Sequence, residues 1–242
     1  MWAVVPVKCL AEAKQRLSGV LTSGERYGLS RTMLQDVLTT LSRSADLAGV
    51  TLVSPDPDVE SLAASFDCEY LSEADLGVAG LNAAMDATVA RLAAAGIDDV
   101  IIVHGDLPMF DSEELSSLLR AHVSSAEPTV TIVTDWHGIG SNCVIASPAS
   151  RLKFCFGHDS LRRHVAQARE KGMIAKVERL PGASLDVDTP DDLRQLLAVT
   201  DLERAEHTHR YIASIGLCVP LASVKDRFPN SMRSPRSLNL SE

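Results

Sequence analysis

The chain has 242 residues, 45% of them apolar, enough to bury one good core in one domain or two small ones. A formal net charge of −9 argues against a nucleic-acid partner, and no apolar run reaches the about 18 residues of a membrane span. Five scattered cysteines (Cys9, Cys68, Cys143, Cys155, Cys218) without a CxxC pair fit reduced thiols in a cytoplasmic protein rather than a disulfide framework or a zinc site.

The first apolar run, 2-WAVVPV-7, is followed by basic residues rather than preceded by them, so it predicts a strand of the mature fold and not a secretory signal. Residues 23–43 predict a helix with Ser23 at its N-cap and Leu29, Leu34, Val37, Leu38 and Leu41 on one face. A strand over 50–54 is closed by Pro55-Asp56-Pro57, then come a short helix over 58–66 and a short strand over 68–71. Residues 79–96 predict a helix ending on a glycine. Val100–Val103 is a buried-type strand, and 111–122 a helix capped at Asp111 or Ser112. Strands over 129–134 and 142–147, a helix over 158–172, a strand over 174–180 and a helix over 189–199 with Pro190 in its first turn complete the pattern. Strands alternating with helices predict an α/β fold, a mostly parallel sheet covered on both faces. Residues 1–200 read as one domain and 201–242 as a C-terminal extension. In that extension, 211–224 could pack on the core and the Ser/Pro/Asn/Arg-rich 229–242 reads as mobile.

Charge is unevenly spread. Residues 1–31 carry five Lys/Arg against two acids, and residues 151–179 carry eight against three. Such islands in an acidic chain suit small anions, although charge clusters are more often solvated helix faces.

The segment 99-DVIIVHGDLPMF-110 runs from a strand straight into Asp106. Ligands of open α/β sheets bind outside the carboxyl ends of strands. A carboxylate there needs a cation, a donor cluster or water, because burying it unpaired is too costly. Magnesium bridging to nucleotide phosphates is one answer, and capping of the next turn is the plainer one. A second acid site lies at 185-LDVDTPDDL-193. Asp191 and Asp192 are explained by the dipole of the following helix, whereas Asp188, with Asp186 as the alternative, could share a divalent ion with Asp106. The first turn, 6-PVKCLAEAKQRL-17, has neither a GxGxxG nor a GKS/T signature. It offers Lys8, Lys14 and Arg16, which can neutralise a triphosphate electrostatically.

Six segments occur in order: VPVK-x-L-x-x-AK-x-RL, GLNAA at 80–84, GDLP at 105–108, HG-x-G-x-N at 137–142, FG-x-x-S at 156–160 followed by RRH, and LDVDTPDDL. Over roughly residues 2–198 this set resembles the 2-phospholactate/phosphoenolpyruvate guanylyltransferase family of coenzyme F420 biosynthesis. The resemblance implies a three-layer nucleotidyltransferase fold of the molybdenum-cofactor guanylyltransferase type. It implies GMP transfer from GTP to the phosphate of a phosphorylated three-carbon acid, with Mg2+ on Asp106 and an acid of DVDTP. Lys8, Lys14 and Arg16 would cover the GTP phosphates, Gly80, Leu81 and Asn82 would lie by the nucleotide, and Ser141, Gly157 and Ser160 would bind the acid. Phosphoenolpyruvate, 2-phospho-L-lactate and 3-phospho-D-glycerate all stay open as that acid.

The sequence departs from the family's habit at Gln15, Ile139, Ser141 and His104-Gly105, departures that bear on the acid pocket. A nucleotide-sugar glycosyltransferase of similar fold would show DxD after the central strand, where this chain has DLP. A non-catalytic nucleotide-binding paralogue would have no need of both acid sites. His207 and His209 lie outside the matched region and read as surface. A homodimer is neither required nor excluded.

Overall fold

The computed structural model describes residues 1–123, 125–199 and 204–217, with the backbone of 236 and 237. Its strands are β1 (Trp2–Pro6), β2 (Gly49–Ser54), β3 (Glu69–Ser72), β4 (Val100–Val103), β5 (Thr129–Thr134), β6 (Ser141–Ser147), β7 (Ile174–Arg179) and the two-residue β8 (Arg236–Ser237). They form one sheet in the order β3-β2-β1-β4-β6-β5-β7-β8. β6 runs antiparallel to β4 and β5, and β8 antiparallel to β7; every other pair is parallel. The helices are α1 (Ser23–Ser42), α2 (Asp58–Ser65), α3 (Leu81–Ala94), α4 (Ser112–Val123), α5 (Ser160–Glu170), α6 (Pro190–Ala198) and α7 (Glu206–Ser214). None is long and apolar enough to cross a membrane among the described residues.

Period-two alternation sorts the strand side chains between two cores. Ala3 and Val5 of β1 face a cluster with Leu34, Leu38 and Leu41 of α1, Leu62 of α2 and Leu118 of α4. Val4 points the other way, to Met85 and Val89 of α3 and Val165 and Ala168 of α5. Both faces are thus covered, giving the three layers expected of a buried, mainly parallel sheet. A third cluster lies on the far side of α1, where Leu29 and Met33 meet Val187, Leu193 and Leu196 around α6, and Ile212 of α7.

Several expected boundaries shift by a residue or two, as fraying ends do. The N-cap of α1 is Thr22 rather than Ser23. Its hydroxyl accepts from the Glu25 amide, and Glu25 reaches back in a capping box. Asp111 does cap α4, accepting from the Glu114 amide at 2.8 Å. The reading of His207 and His209 as surface does not hold. α7 docks on α1 because Asp36, a buried acid of α1, accepts from the amides of His207 (2.9 Å) and Thr208 (3.0 Å) and from the Thr208 hydroxyl (2.6 Å). Both histidines are half-buried in consequence. Residues 218–224 lie outside the described residues, as does the expected mobile segment 229–242 apart from the backbone of 236 and 237.

Chain direction through the sheet positions the site. From β1 the chain steps to β2 and β3 on one side, then crosses to β4 on the other. Between β1 and β4 the connections diverge, and a crevice opens at the strands' carboxyl ends.

Candidate active site

A cleft of about 730 Å³ occupies that crevice. Its first wall is the turn after β1, with Lys8, Leu10, Lys14 and Arg16; Gly80 and Leu81 at the start of α3 form a second, and His104, Gly105 and Asp106 after β4 the floor. Asp188 closes the far side. The first turn is two short 3-10 turns over Leu10–Glu12 and Gln15–Leu17 instead of a glycine loop. Asp56, from the turn after β2, accepts from the Leu10 amide at 2.8 Å and anchors it. Lys14 sits between the two turns with φ 55°, a left-handed conformation rare for a long side chain. That backbone turn sends its side chain inward while Lys8 and Arg16 stay exposed at the rim.

The Lys14 ammonium lies 2.7 Å from Asp106 Oδ2 and 2.6 Å from Asp188 Oδ1, joining residues 92 and 174 positions away. Burial alone would lower the Lys14 pKa, but the charges of Asp106 and Asp188 outweigh it and the pKa is raised. Burial pushes Asp106 up, whereas Lys14 and His104 pull it down, and the net direction is down. Both groups are therefore ionised near neutrality. The backbone supports the same meeting, since the Val187 amide donates to the Asp106 carbonyl at 3.3 Å.

The DVDTP segment is held by groups that its own sequence does not reveal. Glu114 of α4 accepts from the amides of Gly182 (2.7 Å) and Ala183 (2.9 Å). A Cβ at Gly182 would fall 2.1 Å from the Met109 carbonyl oxygen, so only glycine fits where this loop crosses the one after β4. Thr189 caps α6 in a box with Asp192, which accounts for Asp192 structurally. Asp186 and Asp188 diverge. Asp186 accepts from Asn142 Nδ2 at 3.3 Å, and burial followed by the charge of Asp106 raises its carboxyl to about 6. Asp188 turns into the cleft.

Asp106 and Asp188 suit a divalent cation on chemical grounds. Asp106 Oδ1 is buried and has no hydrogen-bond partner, while Asp188 is 43% exposed at the cleft mouth. One or two carboxylates, with phosphate oxygens and water for the remaining positions, are what magnesium takes.

Of the expected nucleotide residues, Lys8, Lys14, Arg16, Gly80 and Leu81 come together in the cleft and Asn82 does not. The Asn82 amide is spent on the backbone of Phe156: its Oδ1 accepts from the Phe156 amide at 2.7 Å and its Nδ2 donates to the Phe156 carbonyl at 3.2 Å. One turn on, Asp86 accepts from the Phe154 amide at 3.0 Å, so one face of α3 clamps residues 154–156. The expectation that Asn82 lies by the nucleotide gives way to this clamp. Ser141 and Ser160 meet buried His164, and Gly157 lies beside Ser160 and Arg163, instead of lining the cleft. The Ser141 hydroxyl is 3.1 Å from His164 Nδ1, and His164 Nε2 accepts from the Cys155 amide at 3.0 Å. Burial first, then Arg163, lowers the His164 pKa to about 4, so it carries no charge for a substrate. Arg163 donates to the Cys155 and Phe156 carbonyls, and Arg162 pairs with Asp159 at 2.5 Å. Two bases of the second island, Arg162 and Arg163, are thus engaged in holding the 155–160 segment.

A family model for CofC-like guanylyl transferases matches residues 1–233. The chain belongs to this family. It is 38% identical over 200 residues to a phosphoenolpyruvate guanylyltransferase of Conexibacter woesei, covering 81% of this chain and 88% of that one. It is 33% identical over 233 residues to a 2-phospho-L-lactate guanylyltransferase of Methanothermobacter thermautotrophicus, covering 96% and 98%. Among solved structures, one named for a nucleotide-diphospho-sugar transferase of Desulfovibrio desulfuricans G20 superposes with a TM-score of 0.68 at 19% identity, covering 88% of this chain and 95% of that one. A CMP:2-keto-3-deoxy-manno-octonic acid synthetase in complex with CTP gives 0.54 at 16%, covering 84% and 98%. At such identities these two show the fold alone, and that fold is the three-layer nucleotidyltransferase type expected from the sequence.

Proposed function

We propose that this CofC-like chain transfers GMP from GTP to the phosphate of phosphoenolpyruvate, 2-phospho-L-lactate or 3-phospho-D-glycerate. The products are a guanylylated acid and pyrophosphate, and the step belongs to coenzyme F420 biosynthesis in the cytoplasm. The observation that carries the reading is Lys14 drawn between Asp106 and Asp188 inside a cleft whose rim is Lys8 and Arg16. The names of the relatives, which act on phosphoenolpyruvate and 2-phospho-L-lactate, support the acceptor class.

The chemistry follows from the residues. An acceptor phosphate oxygen attacks the α-phosphorus of GTP, a new P–O bond forms, and the bond to the β-phosphate breaks as pyrophosphate leaves. The nucleophile is already an anion, so no general base is required. The obstacle is holding two anions in line, which calls for positioning and neutralisation. Lys8 and Arg16 at the rim meet the β- and γ-phosphates. Lys14, on a flexible stem, balances the two acids while the cleft is free of nucleotide and can turn to phosphate oxygens when they arrive. Mg2+ held by Asp106 and Asp188 would neutralise phosphate charge and orient its oxygens.

The test is pyrophosphate release by the purified chain, with magnesium titrated and GTP, ATP and CTP each offered with the three acids. Release that needs magnesium and prefers GTP supports the reading. Release with none of the pairs sinks it.

A further inference from the structure

Few buried side-chain polar atoms lack a hydrogen-bond partner among the described residues, and two that do belong to the cleft floor. They are Asp106 Oδ1 and, two residues earlier, His104 Nε2. Buried polar atoms are nearly always satisfied, so an orphan on a residue that lines a cleft marks a place for a ligand. The carboxylate orphan suits a cation. The imidazole orphan suits an anion in the tautomer that carries the proton on Nε2.

The surroundings of His104 say which anion. Its amide donates to the Asn142 carbonyl at 3.1 Å, fixing the backbone against β6. Its ring lies against Phe156 with centroids 4.9 Å apart, and Phe156 in turn meets His164 at 5.0 Å. His164 carries Ser141. His104 is therefore where the cleft touches the cluster that holds Ser141, Gly157 and Ser160. The cations Lys8 and Arg16 stand on the other wall, at the turn after β1. Two anionic substrates must meet near Asp106, one on the side of that turn and one on the side of His104. The triphosphate takes the cationic side. What remains beside His104 is the acceptor.

We propose that His104 is a substrate-binding residue that donates a hydrogen bond from Nε2 to the carboxylate of the acceptor acid. It rests on the reading of the cleft as a guanylyl-transfer site. Phe156 holds the ring in place, and the Asn82 clamp holds Phe156. The chain from α3 to the acceptor is thus Asn82, Phe156, His104, with only the last touching substrate.

The experiment is equilibrium binding, which does not need turnover. Phosphoenolpyruvate, 2-phospho-L-lactate and 3-phospho-D-glycerate are titrated by calorimetry into the full chain with magnesium and α,β-methylene-GTP, whose α–β bridge cannot be cleaved. His104→Phe keeps the packing on Phe156 and removes the donor. It should weaken the preferred acid by about tenfold or more, as expected for a lost hydrogen bond to a charged group, and leave affinity for the nucleotide analogue unchanged. His104→Gln, which restores an N–H near the position of Nε2, should recover most of the loss. Retention of wild-type acid affinity by His104→Phe overturns the proposal, as does an equal loss for the nucleotide analogue. A glutamine variant as weak as the phenylalanine one would make the effect one of packing and overturn it too. Should His104→Phe fail to fold, the glutamine variant is compared with His104→Leu by the same titration. A wild-type chain that binds the acid through His104 yet releases no pyrophosphate defeats the transfer reading and leaves this one standing.

Discussion

Replacing Lys14 by methionine keeps the bulk of the stem and removes the charge between two carboxylates. The Lys14 side chain is only 6% exposed, and its partners Asp106 and Asp188 are 28% and 43% exposed. Deleting one partner of a buried pair typically costs about 3–5 kcal/mol, because the other charge is left uncompensated. The Asp188 contact, open to solvent, adds no more than about 1 kcal/mol. Asp106 can also limit the loss by taking up a proton, so a value near the lower end, about 3 kcal/mol, is expected. For a domain of this size that corresponds to a melting temperature lower by about 6–12 °C. A divalent cation should replace the missing charge, so saturating magnesium should stabilise Lys14→Met more than the wild type, whose ammonium already stands between the acids. Differential scanning fluorimetry with and without magnesium measures both effects. A variant that melts with the wild type, or gains no more from magnesium than the wild type does, would refute the account of Lys14 as the charge that balances the two acids.

Asp106→Asn should fold and bind GTP yet lose turnover by a hundredfold or more, about 3 kcal/mol of transition-state stabilisation; pyrophosphate release near the wild-type rate would remove the metal role. Gly182→Ala must push its methyl into the Met109 carbonyl, which lies 2.1 Å from the Cβ position. A loss of about 3 kcal/mol in urea unfolding is expected, and a neutral result would mean that the two crossing loops can part. Asp36→Ala removes the acceptor of three hydrogen bonds from α7 and should expose Thr208 and Tyr211 to faster amide exchange while the sheet stays protected. Buried His122, between the hydroxyls of Thr131 and Ser147, has its pKa lowered to about 4, burial being the first cause. The unfolded chain takes up a proton there near its ordinary 6.5 and the folded chain does not, so stability is lost as pH falls from about 6.5 to about 4. His122→Gln should reduce that slope by up to one proton, and an unchanged slope across the same window would show that His122 is charged in the fold.

The layers were legible because they rest on local pattern. Val100–Val103 is apolar at every position and is buried on both faces, and β1 alternates between two cores. The strand-end logic also placed Asp106 and Asp188 in one cleft, since carboxylates after apolar strands have few other places to go. What escaped reading depends on distant partners. No feature of 204–217 reveals that Asp36, some 170 positions earlier, docks α7. Asn82 has the donor and acceptor that a base or ribose would use, but the same two groups fit a peptide, and the Phe156 backbone reaches them first. Glu114 has the sequence position of an ordinary first-turn acid of α4, and only the fold shows it gripping the loop before DVDTP. His104 was visible as a departure from the family's habit, yet its significance lies in an unpartnered nitrogen that sequence cannot display.

The central claim is that an acceptor phosphate attacks the α-phosphorus of GTP in this cleft. The most direct measurement is the mass of the products formed from GTP and an acid whose phosphate carries oxygen-18 in all of its non-bridging positions. The account predicts that the whole label stays in a guanylylated acid and that the pyrophosphate released is unlabelled. Labelled pyrophosphate, or free acid and GMP in place of a joined product, would contradict it.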